Sequence, residues 1–93
     1  MCGELLADLT AIVQETRHSS RWRNYAVQHL SVYYTSHRDE VSLKAIGEAV
    51  SDSDHVVQEV AVYSLARLAR SLKLPTDDRV FDYVERVLIW ALE

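Results

Sequence analysis

The sequence predicts an all-α chain, and three observations predict it. Only two glycines and one proline interrupt 93 residues, 48% of them apolar, so few positions force a turn, while the strong helix formers Ala, Leu, Glu and Arg are abundant. Apolar residues recur at spacings of three and four, the period of an amphipathic helix rather than of a strand. Five such stretches alternate between two patterns, A and B, in the order A-B-A-B-A.

The first helix is expected near residues 4–16, where Leu6, Leu9, Ile12 and Val13 fall within a narrow arc at 100° per residue. Ser19 or Ser20 caps the second, whose expected buried stripe is Trp22, Tyr25, Ala26, His29, Leu30 and Tyr33. The third begins after "SHRD", where Ser36 and Asp39 have the spacing of a capping box. It runs to about Val50 with Leu43, Ile46, Ala49 and Val50 inward. Ser53 or Asp54 caps the fourth, which buries Val57, Val60, Ala61, Ser64, Leu65 and Leu68. "KLPTDD" ends it, because Pro75 is incompatible with a continuing helix and the acids after it favour a new N-terminus. The fifth, near 77–92, is expected to bury Phe81, Val84, Val87, Leu88 and Ala91.

These stretches are related to one another. Leu6, Leu9, Ile12 and Val13 recur 37 residues later as Leu43, Ile46, Ala49 and Val50, and 38 residues after that as Phe81, Val84, Val87 and Leu88. Trp22, Ala26, Val27 and Leu30 recur 35 residues later as Val57, Ala61, Val62 and Leu65. A period of this length made of two helices is the signature of an α-solenoid of antiparallel helix pairs. The expectation is a single domain over 1–93, with repeats at 4–35 and 36–73 and a half repeat at 76–93. Spacing alone also fits a globular bundle of the same five helices.

"SDSDHVVQEVAVYSLARLA" resembles the second half of a HEAT repeat, where a short acidic loop leads into helix B, with Ala61 at the tight contact and Leu65 four residues on. "RWRNYAVQHLSVYY" resembles the same element, with Ala26 and Leu30 in those places. The likeness to the HEAT and armadillo repeats covers nearly the whole chain, as two and a half repeats. It departs from the pattern in lacking the usual proline of helix A and in a longer first A–B loop, "ETRHSS". The resemblance implies a scaffold that binds other proteins, with its B helices lining the concave face.

Charge is segregated by segment. Residues 16–38 carry four arginines and no acid, and 60–75 carry three cations and no acid, whereas 1–15, 39–59 and 76–93 are each net acidic. The A helices are thus acidic and the B helices basic. Arg21, Arg67 and Arg70 lie opposite or beside the expected stripes, with Asn24, Gln28, Glu59 and Tyr63 between them. Together they make a ridge suited to an acidic protein partner. A nucleic-acid module is the alternative, since "RHSSRWR" combines arginines with an aromatic ring. Against it stand the acidic total, net −4 with a pI near 5.5, and the expected burial of Trp22.

The sequence reads as a non-enzyme with no cofactor. It contains no HExxH metal motif and no glycine-rich phosphate loop, and His29 is expected in the core. The lone Cys2 is read as a free thiol, and with no cysteine pairs the expected setting is a reducing cytoplasm. No apolar run reaches the ~20 residues that span a bilayer, and "MCGELLADLT" carries acids where a signal peptide carries Lys or Arg. Gly47, inside a helix, is taken to mark close packing. The last expectation concerns "RVLIWALE". Tyr83, Val87 and Trp90 form an apolar flank on the fifth helix and Ile89 adds another apolar group, so the expectation is a homodimer through the C-terminal helix or else a further repeat that covers this flank.

Overall fold

Side-chain caps set where the helices begin. In the computed structural model, which describes residues 2–15 and 17–92, with the backbone only at 2–4 and 92, five helices follow one another. They are α1 (Cys2–Gln14), α2 (Ser20–His37), α3 (Glu40–Ala49), α4 (His55–Arg70) and α5 (Asp78–Leu92). The Ser19 hydroxyl accepts from the Trp22 N–H, Asp39 from that of Ser42, and Asp54 from those of Val56 and Val57. Each fills donors that a first helical turn leaves open. Ser36, expected in a capping box with Asp39, instead lies within α2.

At its other end α2 stops on Arg38, whose φ of 56° is left-handed and whose N–H donates to the Tyr34 carbonyl at 2.7 Å. Asp77 organises the start of α5. Its carbonyl accepts from the Phe81 N–H at 2.9 Å and its carboxylate from the Lys73 N–H at 2.8 Å, while Arg38 reaches it at 3.6 Å.

Each helix packs on its neighbour in sequence, α1 also lies against α3, and α2 also lies against α4. The Cα envelope measures 39 × 37 × 14 Å. Helix axes pack about 10 Å apart, so the thin dimension holds a layer two helices deep. The core lies where α2, α3 and α4 meet, with Leu30, Ile46, Val57 and Leu65 fully enclosed. Ala26 and Ala61 are 1% and 0% exposed, buried as expected.

The stripe of α2 differs from expectation. Arg23, Ala26, Val27, Leu30 and Tyr34 are buried, whereas Trp22, Tyr25 and His29 are exposed and Tyr33 is half-buried. The helix is turned by roughly one residue, about 100°. Elsewhere the corrections are small. Leu6, Ile12 and Val60 are half-buried, as are Phe81, Val87, Leu88 and Ala91 on α5, where Val84 is the enclosed residue.

Arg23 explains the turn of α2. A guanidinium at 3% exposure must have its donors satisfied and its charge matched. Its Nε and Nη2 donate to the Val13 carbonyl at the end of α1, at 3.0 and 2.8 Å. It also forks onto Asp52, with Nη1 at 3.1 Å from Oδ1 and Nη2 bound to Oδ2. Asp52 accepts the Asp54 N–H at 2.9 Å, and Asp54 accepts the Ser20 hydroxyl. One network thus joins the end of α1, the start of α2 and the turn before α4. Among the described residues, no helix is long and apolar enough to cross a membrane. The Cys2 thiol lies outside the described side chains.

Candidate protein-binding grooves

Two grooves run between helices that lie two apart in sequence. The first runs along the seam where α2 and α4 pack together and encloses about 420 Å³. From α2 it takes Gln28 and Thr35, two turns apart on one face, and from α4 Tyr63 and Arg67, one turn apart, with buried Ser64 and Leu68 beneath. The Thr35 and Ser71 hydroxyls donate to main-chain carbonyls one turn back, at 3.0 and 2.7 Å. Gln28, Tyr63 and Arg67 are exposed and have no side-chain hydrogen bond or ion pair among the described residues. The groove therefore offers an amide, a phenol and a guanidinium as open donors, a set suited to carboxylates.

This is only part of the expected ridge. Arg21 and Arg70 are exposed on the same two helices but outside the groove. Asn24, expected to face a ligand, is half-buried, and its side-chain oxygen is enclosed without a hydrogen-bond partner among the described residues. Glu59 lies across α4, where with Tyr63, Val62 and Trp90 it borders a depression of about 560 Å³ against α5. Tyr63 stands on the crest between the two.

The second groove lies between α3 and α5, whose backbones do not pack closely. Tyr83 bridges them by laying its ring over Gly47, where a Cβ would overlap the phenol oxygen. That is the close approach read from Gly47 in the sequence, made to a side chain rather than to a helix backbone. Burial raises the Tyr83 phenol above its ordinary pKa, and the charge of Glu48 adds to the shift. Tyr83 divides the groove into stretches of about 460 and 470 Å³, the first reaching Arg38 and Arg79, the second Arg86 and Trp90. Three of the four residues expected to drive self-association, Tyr83, Val87 and Trp90, line the second stretch, and Ile89 does not. Trp90 is 59% exposed and Ile89 51%.

The expected acidic character of the A helices does not hold inside this groove. Its lining carries Arg38, Lys44, Arg79 and Arg86 against Glu40 and Glu48. Segment charge missed this, because the acids of α5 (Asp78, Asp82 and Glu85) are absent from the lining.

A third surface follows from the turn of α2. Trp22, 62% exposed, and Tyr25, 57% exposed, begin a line of rings along that helix. Tyr25 meets His29 at 4.2 Å between centroids, and Tyr33 stacks on His37 at 4.1 Å. Periodicity assigned Trp22, Tyr25, His29 and Tyr33 to the core, and His37 was not among the residues it placed there.

No family model matches the chain, and no curated protein or solved structure matches it at a significant level.

Proposed function

We propose that the chain is a protein-interaction module, a stack of helix pairs in the order A-B-A-B-A, that holds an acidic segment of a partner in the α2–α4 groove. The carrying observation is the convergence there of Gln28, Tyr63 and Arg67 with open donors. The stacked reading draws support from α1 lying beside α3, α2 beside α4, and the 14 Å thickness. The role is binding without a cofactor, in the cytoplasm. Arg21 and Arg70 flank the groove and accelerate encounter with an acidic partner.

A panel of Asp- and Glu-rich peptides, titrated by fluorescence anisotropy at several salt concentrations, tests this. Binding is expected to weaken with salt and to fall about tenfold, equivalent to ~1.4 kcal/mol, in Arg67→Glu with an unchanged unfolding midpoint. Peptides that ignore this reversal, or a panel without a binder, would overturn the reading.

One observation favours a second reading. Trp22 and Tyr25 are exposed beside Arg21, which removes the expected burial of Trp22 as an objection to nucleic acid. Bases stack on such rings next to a cation. A single-stranded oligonucleotide that quenches tryptophan fluorescence in the native chain, but not in Trp22→Phe with Arg21→Glu, would favour this reading.

A further inference from the structure

The α3–α5 groove goes beyond the proposed function, because it lies on different helices and has a different lining. Its walls have matched steps. On α5, Val80, Tyr83, Val87 and Trp90 follow at intervals of three, four and three, and on α3, Leu43 and Gly47 sit one turn apart. From Val80 to Trp90 the apolar track runs about 15 Å at 1.5 Å per residue, nearly three helical turns. Gly47 leaves room for the Tyr83 ring, which lies over it and forms the middle of the track.

Cations edge this track, with Glu40 and Glu48 interspersed on the α3 wall. Arg38 is already committed, paired with Asp77 at 3.6 Å and lying over the Tyr34 ring. Lys44 on one wall and Arg79 and Arg86 on the other are exposed and have no ion pair among the described residues. Arg79 and Arg86 are seven residues apart, about two turns, so they stand at similar angles along the same wall.

We propose that this groove binds a partner's acidic amphipathic helix of about three turns, its apolar stripe on Tyr83, Val87 and Trp90 and its carboxylates toward Lys44, Arg79 and Arg86. Two features select this occupant. Both walls are helices whose backbone groups bond internally, so an extended peptide finds no main-chain partners there, whereas a helix brings its own hydrogen bonds satisfied. The charged residues that α5 contributes to the lining are Arg79 and Arg86, which match acidic flanks and oppose basic ones.

The test is a selection. A display library of helical peptides carries fixed leucines at i, i+3, i+7 and i+10, with the flanking positions drawn from Glu, Gln and Lys, and is enriched on the full chain. Glu is expected at the flanks of the selected peptides. Their affinity is expected to fall at least tenfold in Arg79→Glu/Arg86→Glu and in Lys44→Glu on the opposite wall, each with an unchanged unfolding midpoint. Arg67→Glu should leave it unaltered, which separates this site from the α2–α4 groove. No enrichment, Lys or Gln at the flanks, or binding indifferent to both sets of reversals would overturn the proposal. So would sedimentation showing a native dimer that Trp90→Glu dissociates, since a second copy would then occupy the groove.

Discussion

Arg23 shows how one side chain reorients a helix. Its donors take the Val13 carbonyl and Asp52, both near the buried face, so α2 turns to present the guanidinium inward and its aromatic rings outward. Deleting one partner of a buried pair strands the other, at a cost of about 3–5 kcal/mol. That is a large share of the ~5–15 kcal/mol by which domains are stable. Arg23→Met should therefore lower the unfolding free energy by about that amount in urea titration, and a loss below ~1 kcal/mol would remove Arg23 as the keystone. The same network sets an acid limb. Burial on its own would raise the Asp52 pKa, but the Arg23 hydrogen bonds, the Asp54 N–H and the Arg23 charge outweigh it and leave it lowered. Asp54 is lowered chiefly by the Ser20 hydroxyl, against some burial and with help from the Val56 and Val57 N–H groups. On acidification the unfolded chain binds these protons first, so the stabilisation is whole above the ordinary aspartate value of about 3.9. It is lost as pH falls through that value toward the native ones. Arg23→Met should flatten this limb. None of this was legible in the sequence, because an arginine inside an apolar stripe reads as surface until Asp52 and a helix-end carbonyl are placed against it.

Helix starts were legible because caps and breakers act locally. Ser19 and Asp54 cap α2 and α4 as the sequence allowed, Asp39 caps α3 in place of Ser36, and α4 ends at Arg70, ahead of Pro75. Which face of a helix turns inward depends on its neighbours, and there the sequence was read correctly for α4 and misread for α2. Matching α2 to α4 held where side-chain volume decides, at Ala26 with Ala61 and Leu30 with Leu65. It failed at Trp22 with Val57, one exposed and the other enclosed. Leucine at either alanine pushes apart two helices already in contact, so Ala26→Leu and Ala61→Leu should each lose about 1–3 kcal/mol. Trp22→Ser should change stability by no more than ~0.5 kcal/mol, as exposed substitutions do. Thermal midpoints of the three variants would check this order, and a Trp22→Ser loss matching the alanine variants would return that ring to the core.

At the scale of the whole molecule, what the sequence could not supply is the spacing between elements, which decides where the seam between two helices becomes a groove. The α2–α4 groove was partly legible, because Gln28, Tyr63 and Arg67 could be placed on outward faces of neighbouring B helices. The α3–α5 groove was not, since its cations come from the end of α2, from α3 and from α5, and segment totals average them with acids that point elsewhere. The same separation predicts an uneven distribution of stability. α2 packs on α1, α3 and α4, whereas α5 packs closely on α4 and otherwise reaches α3 through Tyr83, enclosing Val84. An element with fewer buried contacts opens at lower free energy than the rest. Native-state hydrogen exchange should therefore find the amides of α5 exchanging through a local opening, well before those of α2 and α4, whose slowest amides wait for global unfolding. Equal protection along α5 and α2 would mean that the single layer behind α5 holds it as firmly as three neighbours hold α2. An acidic helix bound in the groove adds a second wall to α5, so the selected peptides should slow exchange in α5 more than in α2. Protection that instead rises along α2 and α4 would place the peptide in the other groove.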